Sequence, residues 1–237
     1  MKTKIIFLFS MLCIGILVSS AGCRRDSEVN ASETIAGISN VDGIYIHLEY
    51  EAGVGGGIYP VYNPYLFFTD GSVYKNMATS PEKLDVVQSK QQEPKEWGTW
   101  KKSGSTIILA WNQGDSETWD DKSWHKALPA GKNELITGSY NSISGGGNTA
   151  LGGDIMIVNA KNLSFDGSRF TYESTSGGGN TSVTAYSNQA KAGTYKLNGY
   201  SIEYTFNNGT KEIKFFYFYP DSKTVFGVGD RVYVLDK

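Results

Sequence analysis

Cysteine is nearly missing from this 237-residue chain, which holds only Cys13 and Cys23. Histidine is as scarce, at His47 and His125. No basic block occurs beyond Arg24-Arg25, and no apolar run is long apart from residues 5–18. Each shortage excludes something. Without a basic stripe the electrostatic footprint of nucleic-acid binding is absent, so no nucleic-acid partner is expected. One cysteine outside the apolar run cannot form an internal disulfide, a thiolate metal cluster or a Cys–His catalytic pair. Neither HExxH nor Gly-x-Ser-x-Gly is present, and each is a spacing that zinc or serine chemistry uses. His125 follows Asp120 and Asp121 in "WDDKSWHK", with Glu117 close by. Nothing in that spacing demands an acid–base pair or a metal site. The chain is therefore expected to be no enzyme and to carry no metal or cofactor.

What is present begins at the N-terminus. Lys2 and Lys4 precede 14 mostly apolar residues, followed by Ser19-Ser20-Ala21-Gly22 and Cys23. About 20 apolar residues are needed to span a bilayer as a helix. A basic start, a shorter apolar core and small residues after it mark a secretory signal. The "SAGC" stretch resembles the lipobox of bacterial lipoproteins, with Ser20 where an aliphatic residue is usual. That resemblance implies removal of residues 1–22, acylation of Cys23 and attachment to a membrane through the lipid. Arg24 stands where the family's inner-membrane retention signal has Asp, which implies the outer membrane of a bacterial envelope, on its periplasmic or surface face. Loss of two lysines with the leader leaves 20 basic against 24 acidic residues, a net of −4. Residues 23–40 are polar and aperiodic and read as the lipidated cysteine and a flexible tether.

From residue 41 to 237 the pattern is that of an all-β protein. "GIYIHLEY" alternates Ile44, Ile46 and Leu48 with Tyr45, His47 and Glu49, the period-2 signature of a strand. Asp70-Gly71, Asp166-Gly167 and Asn208-Gly209 sit between β-rich runs, where such pairs make hairpin turns. One short helix is expected near 81–91, with Ser80 as its N-cap, Pro81 in its first turn and Pro94 as its stop. "IKFFYFY" (213–219) is apolar on both faces and should lie between a barrel wall and a second layer or subunit.

Much of the chain is written twice. "GTWKKSGSTIILAWNQG" from Gly98 aligns without a gap with "GTYKLNGYSIEYTFNNG" from Gly193, an offset of 95. Ile107, Leu109 and Trp111 then meet Ile202, Tyr204 and Phe206 in phase, and a slip of one residue would reverse both faces. The expectation is an antiparallel β-barrel domain over 41–237, built from two repeated meanders, 43–137 and 138–237, that form one barrel or two. The second unit resembles a module of uncharacterised bacterial proteins with a DGS hairpin followed by GTY-K-L-x-G-Y. More distantly the meander is similar to calycin and lipocalin barrels, although "GIY" replaces the lipocalin Gly-x-Trp. "SGGGNT" occurs at 144–149 and 176–181. Neither copy leads into a helix as a phosphate loop does, so both read as loops between strands, as does "GVGGG" at 53–57.

Trp100 and Trp111 have aromatic counterparts at offset 95, Tyr195 and Phe206, and read as core. Trp97, Trp119 and Trp124 lack them and, with His125, are the candidate ligand-binding residues. The expected function is binding: a small apolar or amphipathic ligand, or another envelope protein or glycan, held by a lipid-anchored barrel. The alternatives are a filled scaffold without a small ligand and a carbohydrate-binding module with its tryptophans exposed in one plane.

Overall fold

The computed structural model describes residues 40–52, 58–77, 80–147, 152–220 and 222–237. The leader, Cys23, the tether up to residue 39 and the 53–57 segment lie outside the described residues.

The chain folds into two antiparallel sheets, one for each half. The first half contributes β1 (Val41–Ala52), β2 (Ile58–Phe68), β3 (Ser72–Tyr74), β4 (Trp97–Ser103), β5 (Thr106–Trp111), β6 (Ser116–Trp119) and β7 (Trp124–Lys126). They form a curled sheet of order β6-β5-β4-β3-β2-β1-β7. The second half contributes β8 (Gly138–Gly147), β9 (Met156–Asp166), β10 (Arg169–Gly179), β11 (Thr184–Asn198), β12 (Ser201–Phe206), β13 (Lys211–Tyr219), β14 (Ser222–Val228) and β15 (Arg231–Leu235). These close into an eight-stranded barrel, sealed where β15 pairs with β8 at Val234–Asn141 and Leu235–Tyr140. The first sheet stops one strand short. Across its gap, Trp119 of β6 stacks on His47 of β1 with ring centroids 4.1 Å apart.

The two sheets share a register. In β4–β5, Gly98 pairs with Trp111 and Ser103 with Thr106; in β11–β12, Gly193 pairs with Phe206 and Asn198 with Ser201. Every one of these positions differs by 95. The connecting turns both need a left-handed residue, and Gly104 (φ +62°) and Gly199 (φ +58°) supply it without a Cβ penalty. Gly98 and Gly193 serve a second shared need. A Cβ on Gly98 would lie 2.6 Å from the Ala110 carbonyl oxygen, and one on Gly193 would collide with that of Thr205, the matching residue.

Three apolar layers result. Tyr45, Phe67, Ile107, Leu109 and Trp119 fill the inside of the first sheet. Phe165, Phe170, Tyr195, Tyr204, Phe216 and Phe226 are among those filling the barrel. Between the two walls, Ile44, Ile46, Leu66 and Trp97 pack against Tyr200, Phe215 and Tyr217. β13 is thus the shared wall, with Phe215 to Phe218 each no more than 2% exposed. Burial of four such side chains stabilises by about 1.5–3 kcal/mol apiece before entropy.

Between β3 and β4 the helix begins later than its sequence signals suggest. Pro81–Lys83 is a single 3-10 turn, and α1 spans Val86–Gln92. Leu84 is extended (ψ 113°), and the carboxylate of Asp85, rather than the Ser80 hydroxyl, accepts from the Gln88 amide at 3.0 Å. Pro94 opens a second 3-10 turn at Pro94–Glu96.

The glycine runs are also not where loops were expected. Ser144–Gly147 is the end of β8 and Ser176–Gly179 the end of β10. Both pair with the same stretch of β9: Gly145 and Gly177 oppose Val158, Gly146 and Gly178 oppose Ile157, and Gly147 and Gly179 oppose Met156. Ladder hydrogen bonds hold a strand whatever its side chains are, so low β propensity is overridden once β9 offers partners on both edges. Neighbouring atoms crowd these positions too: a Cβ on Gly177 would lie 2.6 Å from the Tyr186 ring.

Candidate functional site

The tryptophans do not form an exposed platform. Trp97 and Trp119 are each 1% exposed. Trp97 sits in the layer between the walls and donates its indole N–H to the Ser89 hydroxyl at 2.9 Å. Trp119 lies inside the first sheet, where the gap in the wall gives it room. Trp124 is half-buried against Tyr45, with the Lys102 ammonium 4.7 Å above its ring and its N–H bonded to the Ser105 carbonyl. His125, next to it in β7, points to the opposite face and is exposed. Strand alternation separates those two neighbours. Trp111 is buried and Trp100 packs beside it with its N–H on the Phe68 carbonyl. Cys23 is outside the described residues.

A polar group inside the first sheet was not among the residues singled out. Glu49 accepts from the Tyr65 hydroxyl and from Asn63 Nδ2 (2.9 Å), and its Oε1 lies 3.2 Å from His47 Nδ1. Partial burial pushes the Glu49 carboxyl up, but the hydrogen bonds from His47, Tyr65 and Asn63 outweigh this and hold it below the usual range. Glu117 accepts from both the Trp111 and Trp119 indoles, at 2.5 and 3.2 Å. Each residue thus has a structural duty, closing the sheet's open side. The one sequence signal was His47-x-Glu49, two polar residues on one strand face. Glu49, Tyr65 and Glu117 border an open cleft of about 1050 Å³ facing Glu212 and Lys214 of β13. Among the described residues no group of three or more His, Cys, Asp or Glu side chains is placed to hold a metal ion.

The second barrel is filled. Its aromatic core leaves a hollow of about 120 Å³ at one end, against the roughly 300–1,000 Å³ of pockets that engulf a drug-sized ligand. The strands β8 to β11 continue past that mouth as a four-stranded extension. On its inward face, Tyr172 of β10 lies opposite Leu163 and Lys191, and one row outward Ser174 lies opposite Lys161 and Gln189. Further out, Ser176 lies opposite Asn159 and Ser187. Aromatic floor thus grades into lysine and then into hydroxyl and amide groups. Arg231 of β15 crosses to donate to the Ser144 hydroxyl and lies 3.6 Å from Asp230, while Lys214 and Glu212 pair at 3.1 Å. A larger open hollow of about 560 Å³ shares Tyr172, Lys191 and Phe206 with the mouth.

Compared with protein-family models, curated proteins and solved structures, the chain matches none.

Proposed function

We propose that this protein is a lipid-anchored component of the bacterial envelope, held at the outer membrane through Cys23, and that it acts by binding at the mouth of its second barrel. The reading of the anchor rests on the basic start, the 14-residue apolar core and the "SAGC" that follows. The reading of the site rests on one observation: the barrel's aromatic core is bordered by a small hollow whose lining carries lysine, arginine and tyrosine. A lipocalin-style interior ligand has no room. The barrel is a rigid support, and the ligand lies at its mouth and along the extension. The corresponding halves are read as products of duplication, of which one kept a closed barrel.

Native mass spectrometry of residues 24–237 tests the binding reading. A reproducible extra mass that is lost on denaturation is the expected result. A bare mass across preparations from envelope-containing lysates would replace it with a ligand-free scaffold. Replacing Cys23 with Ser tests the anchor: the protein should move from the membrane to the soluble fraction and lose its acyl mass.

A further inference from the structure

Four cations line the small hollow at the barrel mouth: Lys161, Lys191, Lys214 and Arg231. The carboxylates facing them are Glu212 and Asp230, and these are taken up by Lys214 and Arg231. Lys161 and Lys191 make no ion pair among the described residues. They stand on β9 and β11, either side of β10, separated laterally by two strand spacings of about 4.8 Å. Lys161 stands opposite Ser174 and Lys191 opposite Tyr172, and the Lys191 ammonium lies 5.3 Å from the centre of the Phe206 ring. Three phenols sit beneath them, those of Tyr172, Tyr204 and Tyr233, and none forms a hydrogen bond to another described residue. Burial raises the titration of Tyr204 and Tyr233, so both stay as O–H donors at neutral pH. Donors and surplus positive charge thus surround the space, with the Gln189 amide the one uncharged side-chain acceptor other than the phenols on the lining of the hollow. Next to it, the 560 Å³ hollow runs from Phe206 round the edge of β11 to Ala190 and Ala192, with Glu173, Asn207, Asn208 and Thr210 also on its wall.

We propose that the mouth of the second barrel binds a small oxyanion group, phosphate or carboxylate in type, carried on an amphipathic molecule whose apolar part lies over Ala190, Ala192 and Phe206. Lys161 and Lys191 supply the charge, and the phenols and Ser174 orient the oxygens. Low dielectric over the aromatic floor strengthens each contact relative to bulk water, and charge-assisted hydrogen bonds are the stronger kind. The inference rests on the reading that the protein acts by binding, and it names the ligand's chemistry.

The test is calorimetric titration of the purified protein with inorganic phosphate, dodecyl phosphate and dodecyl maltoside, each alkyl probe below its micelle concentration. Dodecyl phosphate should bind at one site while the maltoside does not. Affinity well above that of inorganic phosphate is the expected result, and equal affinity would identify the source as the free anion and overturn the amphipathic part of the proposal. The double variant Lys161→Gln/Lys191→Gln should weaken dodecyl phosphate by about tenfold or more, since a hydrogen bond to a charged group is worth about 1.5–3 kcal/mol. Both lysines lie on the rim, so melting temperature should not change. Equal binding of phosphate- and maltoside-headed probes, failure of dodecyl phosphate to bind, or an unaltered affinity in the double variant would overturn the proposal. A native adduct that survives the double substitution would overturn the oxyanion site alone and leave the binding reading standing.

Discussion

Glu49 and Trp119 illustrate how single side chains complete a sheet that lacks a strand. The Trp119 ring lies against His47, Tyr65 and Phe67, in space that the closed barrel fills by continuing its wall. Replacing Trp119 with Ala removes that plug, and a loss of about 3–5 kcal/mol in urea unfolding is expected. Glu49 acts through charge. Its folded pKa lies below the unfolded value of about 4.3, so it stabilises the fold above that pH. The contribution is lost as pH falls through the lower, folded pKa. Glu49→Gln should therefore melt below the parent at pH 7, with the gap closing below about pH 4. An equal gap at pH 7 and pH 3 would mean that geometry, not ionisation, is what matters. From sequence, His47 and Glu49 read as the polar face of a half-buried strand. They are the polar end of an interior, because the partners Tyr65, Asn63 and Trp119 come from strands 14 to 72 residues away.

Among the elements, the β11–β12 hairpin is the most tightly specified by its sequence. Gly193 lies against the Thr205–Phe206 backbone of the adjoining strand, and Tyr195 donates its hydroxyl to the Ile136 carbonyl and accepts from the Ile136 amide. Gly193→Ala must move backbone, not the end of a flexible side chain, and should cost about 1–3 kcal/mol. Thermal unfolding monitored by near-ultraviolet dichroism would show it. Hairpin turns, the double-faced apolar character of β13 and the in-phase aromatics were all legible here, because they depend on alternation along a few residues. The helix onset and the glycine strands were not. Asp85 wins the cap over Ser80 through the extended Leu84 between them, and Ser144–Gly147 becomes strand through partners that are distant in sequence order.

At the scale of the molecule, the two sheets are bound together by the layer between their walls and by the connection over residues 127–137. Leu128 exchanges hydrogen bonds with Phe218, and Ala130 with Gly199, while Ile136 enters the barrel core. Removing residues 1–137 would uncover Tyr200, Phe215 and Tyr217 and strip away this strap. Residues 138–237 alone should bind a hydrophobic dye and lack a cooperative melt, whereas the longer chain melts in one transition. Two separate transitions in the longer chain would show that the halves are energetically independent.

The amino-acid sequence by itself determined the strand grammar: which residues alternate, where hairpins turn, and which positions of each half correspond. These follow from steric and hydrogen-bonding rules that act within a hairpin. Tertiary structure decided what each face of a strand meets. It made two sheets where one barrel was an equally good reading of the meanders, buried Trp97 and Trp119, and brought Lys161 and Lys191 to a hollow lined by Tyr172, Tyr204 and Tyr233 at the barrel's mouth. Closure, burial and the surroundings of a charge depend on segments brought together across the whole chain, and alternation within one strand carries no information about them.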